Sequence, residues 1–333
     1  MSNSFPTPQL FCSRCITFDY CRWNAGIISS EKVDRLKSVC EFVTNCPEKE
    51  IGLGVPRDSL RLVEIDKTIR LVQPATENDY TEKMIEYSKN LLSEFPEIDG
   101  FILKGKSPSC GYDGVKLYSG SHKADVRDKS AGVFGGILID TFGEYPIVDE
   151  YRLENPAIWE HFITQIYTIA AFREIKSDKT IQNLIDYHSR HKFQLMAYDQ
   201  NLMRLMGRLV ANQDKQSIEE IYADYEILLL KTLSNMPRYT QNINVLYHAL
   251  GYFKEKIGSE EKQFFIEEIE AFRHGVFPLS VCLHIIRNWI IRFEEEYLHS
   301  QTYFRPYPDI LVNLQPFSSR IEKLERLQGI KKN

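Results

Sequence analysis

Gly100-Phe-Ile-Leu-Lys104 is a short apolar strand, and it runs almost directly into the turn Ser107-Pro-Ser-Cys-Gly111. A loop that leaves the end of a strand is where α/β proteins place reactive groups. Cys110 stands at such a place. Upstream, Leu10-Phe-Cys-Ser-Arg-Cys-Ile16 reads as a buried strand entering a loop at Cys15, and Phe42 to Thr44 as a short strand ending at Cys46-Pro47. Leu60-Arg-Leu-Val-Glu-Ile65 and Ile69-Arg-Leu-Val-Gln73 nearly alternate, so with Asp66-Lys67-Thr68 between them they predict a hairpin. Ser29 to Val43 has helical spacing with Ser30 as N-cap, and Asp79 to Phe95 puts Met84, Tyr87, Leu91 and Phe95 on one stripe. Val133 to Phe142 reads as a helix or strand, and Tyr145-Pro-Ile-Val148 as another strand. Strands alternating with helices predict a mostly parallel sheet covered on both faces.

From Pro156 the strand signals fade. Helical periodicity runs through 156–175, 179–212, 217–234, 241–257, 259–274, 279–298 and 318–328, with Ser217-x-x-Glu220 as a capping box. The expected architecture is an α/β N-terminal domain over 1–155 followed by an all-α C-terminal domain over 156–333. Of the 333 residues, 43% are apolar and 26% charged, enough for two cores. The net charge of -5 gives no overall pull toward nucleic acid or membrane, so such a contact needs a local basic patch. Met1 to Leu10 lacks the pattern of a secretory signal, and Leu279 to Phe293 is too short and too charged to span a bilayer. The expectation is a cytoplasmic protein.

There are seven cysteines: Cys12, Cys15, Cys21, Cys40, Cys46, Cys110 and Cys282. In a reducing compartment metal binding or catalysis explains them better than disulfides do. Three distant thiolates can hold three irons of a [4Fe–4S] cube and leave the fourth open. A catalytic zinc with one open position follows the same logic, and Cys12, Cys15, Cys21 and Cys46 also have the makings of a four-cysteine zinc site. Spacing alone leaves these open, along with buried free thiols.

The blocks Ser13-Arg-Cys15, Cys21-Arg-Trp-Asn-Ala-Gly26, Cys46-Pro-Glu48, Gly52-Leu-Gly-Val-Pro-Arg57, Leu103-Lys104 and Ser107-Pro-Ser-Cys-Gly111 closely resemble the thiouracil desulfurase family over residues 10–150. Segments around His188–Ala197, Leu205–Val210, Asn244–His248 and Gln301–Pro308 resemble a second, uncharacterised helical domain commonly fused to it. The resemblance implies a [4Fe–4S] cluster on Cys15, Cys46 and Cys110, whose open iron takes the sulfur of a thiolated uracil. It gives Glu48 and Ser107 roles in proton transfer, in a non-redox reaction where water replaces sulfur on the ring carbon and sulfide leaves. The family more often has Arg-Tyr-Asp-Gly where this chain has Arg22-Trp-Asn-Ala25, and Cys12 and Cys21 are extra thiols beside the motif.

A thiocarbonyl sulfur is soft and matches a thiolate-bound iron better than a hard cation. The water to be activated suits a carboxylate within reach, and Glu48 lies two residues after Cys46. Ser107, three residues before Cys110, has a hydroxyl able to relay a proton. Arg22, Arg57 and Lys104 are candidates for contacting a uracil carbonyl or a phosphate. Ser109 reads as a turn residue, Cys40 and Cys282 as core, and His122 and Lys123 receive no role. In the helical half His188, Arg190, His191 and Lys192 cluster, and Arg204 and Arg208 share a face, which suits a phosphate or an RNA backbone. The expected partner is a thiolated nucleobase or nucleotide, with tRNA bound through the helical domain as an extension and no membrane contact. The competing expectation is a nucleic-acid binding protein with a structural metal site.

Overall fold

The structure is a computed structural model that describes residues 5–121, 125–211 and 215–312. The expected helix at 318–328, the basic tail, His122 and Lys123 lie outside the described residues. The first half holds two sheets. Four strands, β1 (Gln9–Ser13), β2 (Glu41–Asn45), β6 (Gly100–Leu103) and β9 (Ile147–Asp149), form an all-parallel sheet in the order β2-β1-β6-β9. The other five, β3 (Arg61–Ile65), β4 (Thr68–Gln73), β5 (Asn78–Asp79), β7 (Val115–Tyr118) and β8 (Val126–Ser130), form a mixed sheet in the order β5-β4-β3-β7-β8. The β3–β4 hairpin is the expected one: Asp66 and Lys67 both take positive φ, as a tight primed turn requires.

Alternation along β1 and β6 separates the two faces of the parallel sheet. Leu10, Cys12 and Ile102 pack with Trp159, Phe162, Ile163, Ile166 and Tyr167 of α4 (Pro156–Lys176). Phe11, Phe101 and Leu103 pack on the opposite face with Met84 and Leu92 of α2 (Thr81–Ser93) and with Phe134 and Leu138 of α3 (Val133–Phe142). The ambiguous segment at 133–142 is therefore a helix. Gly100 lets α4 approach: a Cβ there would stand 2.8 Å from Cγ2 of Ile166.

The remaining helix of this half, α1 (Glu31–Leu36), is capped by Ser30 as expected, with its Oγ accepting from Val33 N. It is shorter than the 29–43 segment predicted. Residues 41–45 find β1 as a parallel partner, and pairing takes them out of the helix.

The second half is helical: α5 (Ile181–Tyr198), α6 (Gln200–Val210), α7 (Ile218–Leu233), α8 (Tyr239–Gly251), α9 (Ser259–Arg273), α10 (Leu279–Arg292) and α11 (Glu296–Ser300). The predicted 179–212 segment is two helices. Asp199 takes an extended backbone and its Oδ1 caps the second helix through Asn201 N and Leu202 N. The 279–298 segment also divides, at Glu294, which has positive φ. The Ser217–Glu220 capping box forms as read. No helix among the described residues is long and apolar enough to cross a membrane.

Three histidines, His191 buried and His161 and His188 half-buried, are held by neutral hydrogen-bond partners in this half. His161 pairs with the Tyr198 hydroxyl at 3.0 Å, His188 with that of Tyr225 at 3.0 Å, and His191 with the Tyr187 carbonyl at 2.9 Å. Burial pushes each down to about 4. The unfolded chain therefore takes up these protons near pH 6.5 and the folded chain only near 4. Stability is complete above that window and falls as pH drops through it. Melting temperature should decline from about pH 6.5 downward, with a shallower decline in His188→Gln. An equal slope in that variant would assign the effect to other groups.

Candidate functional site

In the parallel sheet the chain moves from β1 to β2 on one side, then returns to β6 on the other side of β1. The strand order reverses between β1 and β6, and ligands bind outside the carboxyl ends of the strands at such a point. The three cysteines expected as ligands arise there: Cys15 two residues after β1, Cys46 directly after β2, and Cys110 in the turn after β6. All three are buried and free of disulfides.

Local chemistry builds each loop. The Cys110 turn is held by Ser107, whose Oγ accepts from Ser109 N at 3.2 Å and Cys110 N at 3.1 Å. The turn then caps α3: Gly132 N donates to Gly111 O, Val133 N to Pro108 O and Gly135 N to Ser109 O. This requires backbone contact without side chains. A Cβ on Gly132 would stand 2.6 Å from Ser109 O, and one on Gly135 2.4 Å from Gly111 O. These two glycines were not singled out in the sequence, where a glycine beside a helix is a common and weak signal. Ser13 closes the strand side, its Oγ accepting from Lys104 N at 2.9 Å.

The Glu48 carboxylate is gripped from two directions. Arg57 donates to Oε2 through Nε at 2.8 Å and Nη2 at 2.7 Å, while Ser109 Oγ donates to Oε1 at 2.8 Å. Arg57 also donates to the carbonyls of Cys21 at 3.1 Å and Gly54 at 2.9 Å, and reaches Cys46 Sγ at 3.9 Å. Positive φ at Gly52 and Gly54 folds the 49–56 loop back so that this reach is possible. Glu48, Arg57, Cys46 and Cys110 are thus brought into one constellation from the ends of β2 and β6 and the loop that leads into β3.

Placement differs among the sequence candidates. The Arg57 side chain is 4% exposed and fully engaged, so it orients Glu48 where the sequence reading had it contacting substrate. Lys104 Nζ is likewise occupied, by Glu150 at 2.5 Å and the Gly105 carbonyl at 2.5 Å. Arg22 is half-buried, and its guanidinium makes no hydrogen bond or ion pair among the described residues. Ser109, read as a turn residue, also touches the Glu48 carboxylate. Glu150, just past β9, was not anticipated; it is buried and also accepts from Gly105 N at 2.8 Å.

Cys12 lies within β1 in the core, and burial pushes its thiol well up. Cys21 belongs to the constellation: its contact with the Cys15 thiol, with burial, pushes it up to about 11 against the opposing contact with the Cys46 thiol. Cys46 is pushed well up by Cys21 and by burial, and Cys110 by burial, then by Cys46 and Glu48.

These residues fit an iron–sulfur cube. Burying several neighbouring thiols is tolerated when metal replaces their protons. The buried oxygens Thr17 Oγ1 and Asn45 Oδ1, close in sequence to Cys15 and Cys46, have no hydrogen-bond partner, as expected where the polypeptide alone does not complete a site. Among the described residues no three His, Cys, Asp or Glu are grouped to hold a single ion. Thiolates on three corners of a cube each take a different iron, so they stand farther apart than the ligands of one zinc.

Residues 10–150 match the 2-thiouracil desulfurase family. The uncharacterised protein YbbK of Bacillus subtilis (strain 168) is 30% identical over 139 residues, covering 37% of this chain and 91% of that protein. This chain belongs to the 2-thiouracil desulfurase family. The family segment contains every strand end that carries a cysteine of the constellation. Residues 192–308 match a family of unknown function, DUF1722, so the desulfurase segment is joined to a second one. The uncharacterised protein YbgA of Escherichia coli (strain K12) is 32% identical over 129 residues, covering 38% of this chain and 76% of that protein. A solved structure, the [4Fe–4S]-dependent thiouracil desulfidase TudS, is 22% identical and covers 44% of this chain and 94% of its own, with a TM-score of 0.34.

Proposed function

We propose that the chain is a [4Fe–4S]-dependent desulfurase of thiolated uracil, free or within a nucleotide or tRNA, and that water replaces the ring sulfur with release of sulfide. The observation that carries this reading is the Glu48 carboxylate, clamped by Arg57 and Ser109 beside buried cysteines from three strand ends. Cys15, Cys46 and Cys110 would hold the cluster, which supplies a soft Lewis-acidic iron for the thiocarbonyl sulfur. Glu48 accepts the proton of the attacking water as general base. Arg57 keeps that carboxylate aimed, and Ser109 fixes its second oxygen. The Ser107 hydroxyl accepts two backbone N–H bonds, which leaves its own proton to donate toward the departing sulfide. The carbon exchanges a C–S bond for a C–O bond and no electron is transferred to or from the substrate. Arg22 supplies the unengaged cation for a uracil carbonyl or a phosphate.

The helical half adds a face for RNA. Arg190, Lys192, Arg204 and Arg208 are exposed and make no ion pair among the described residues, on a chain whose net charge is -5. Arg204 and Arg208, four residues apart on α6, share one face, and such a pair of cations suits a phosphate backbone. The same face would serve the competing function, nucleic-acid binding around a structural metal.

The deciding experiment uses full-length protein purified without oxygen and reconstituted with iron and sulfide. Sulfide release is measured from 4-thiouridine monophosphate and from 4-thiouridine-containing tRNA. A colourless zinc protein that binds RNA and releases no sulfide would replace the desulfurase reading with the binding one. Exchanging both Arg204 and Arg208 for Glu should raise KM for the tRNA by tenfold or more and lower its salt dependence by about one per lost contact, leaving the monophosphate unaffected. Equal losses on both substrates would remove this face from RNA binding.

A further inference from the structure

Tyr151 lies two residues after β9, on the edge of the sheet that carries the cysteines. It is 56% exposed, and its hydroxyl has no hydrogen-bond partner among the described residues. Three features nevertheless hold it in place. Asp149 Oδ1 accepts from Tyr151 N at 3.0 Å and Arg152 N at 2.8 Å, which sets the backbone. The ring lies against Gly105, where a Cβ would stand 3.0 Å from Cδ2 of Tyr151. Two ammoniums lie over the ring, Lys104 Nζ at 4.7 Å and Lys106 Nζ at 5.0 Å from its centroid.

The two lysines differ. Lys104 is neutralised by Glu150. Lys106 is exposed, makes no ion pair among the described residues, and takes the left-handed backbone (φ 60°) one residue before Ser107. Left-handed backbone at a non-glycine residue is strained and is retained where the surroundings impose it, often at ligand sites. An exposed, backbone-held aromatic beside a free cation combines a stacking surface with a phosphate contact. Tyr151 stands at the end of β9, on the far side of β6 from Cys15, so it reads a group other than the ring at the cysteines.

We propose that Tyr151 stacks the nucleobase next to the thiolated uracil in a polynucleotide, with Lys106 taking the phosphate that links the two. The inference rests on the desulfurase reading of the adjoining site and assigns it two specificity-determining residues. A single thiouracil ring would leave this platform empty, and an oligonucleotide would fill it.

The test compares three substrates of the anaerobically loaded full chain: 4-thiouracil, 4-thiouridine monophosphate and a dinucleotide in which 4-thiouridine is linked to adenosine. Tyr151→Ala should raise KM about tenfold or more for the dinucleotide alone, with kcat, iron content and the two smaller substrates unchanged. Tyr151→Phe should behave as wild type, since stacking needs the ring and not the hydroxyl. Lys106→Ala should raise the dinucleotide KM and reduce its dependence on salt. An unaltered dinucleotide KM, or a parallel change on all three substrates, overturns the platform. Binding of a sulfur-free uridine–adenosine dinucleotide to loaded protein is titrated alongside. If wild type releases no sulfide from any substrate, the desulfurase reading fails, and this titration still decides the platform. Weaker binding by Tyr151→Ala supports it and equal binding overturns it.

Discussion

Glu48→Gln should retain the full iron content of the wild type and lose about 10²- to 10⁴-fold in kcat for sulfide release, the usual contribution of a positioned general base. Glutamine keeps the shape and can still accept from Ser109 Oγ, but it cannot take the proton of a water. Cys110→Ala removes a cluster ligand and should lower iron content and activity together. The pair separates chemistry from assembly. Arg57→Lys should lie between them: one ammonium cannot reproduce contacts to Glu48, Cys21 O and Gly54 O at once, so kcat falls while iron is kept. Iron analysis with single-turnover sulfide release measures all three. A Glu48→Gln enzyme with wild-type kcat would remove Glu48 from the chemistry.

Arg173→Ala should destabilise the protein by about 3–5 kcal/mol, the range for breaking a buried ion pair on one side. Asp99 is 1% exposed and precedes β6. Arg173 of α4 meets both its oxygens, through Nε at 3.1 and 3.2 Å and Nη2 at 3.1 Å, and donates to Thr7 O at 2.9 Å. Burial already pushes the Asp99 carboxyl up despite Arg173 and the Gln9 N–H. Without the guanidinium it would rise further. A raised carboxyl is least costly when protonated, so stability is greatest at low pH and is lost as pH rises through the folded value. The deficit of the variant relative to wild type should therefore narrow on acidification. Urea denaturation of the variant at two pH values checks this, with Asp99→Asn/Arg173→Met as a control that should recover much of the loss. A deficit below 1 kcal/mol at neutral pH would show that water reaches Asp99 and that the pair does little.

The local elements were legible because their causes are local. The Asp66–Lys67 turn, the Ser30 cap, the Ser217 capping box and the apolar runs of β1 and β6 each follow from neighbouring residues. Helix ends differ where a non-local partner competes: the helical spacing of Ser29 to Val43 runs into the strand read at Phe42 to Thr44, and pairing with β1 settles the overlap as strand. The 179–212 segment failed for the opposite reason, because a capping Asp199 outweighed a continuous apolar period.

By itself, the sequence determined the class of architecture, a parallel α/β unit ahead of a helical one. It also determined the chemistry available, since three cysteines at strand ends and an acid beside one of them are written in adjacent residues. Only the tertiary structure decided which of those groups meet and what each is free to do. It turned Arg57 and Lys104 inward onto Glu48 and Glu150, brought Cys21 and Ser109 into the constellation, and left Arg22 and Lys106 as cations without an ion pair among the described residues. The physical reason is that a charged side chain can reach several partners within its length. Its role is set by which of them burial places beside it, and that depends on strand order and loop path across segments tens of residues apart.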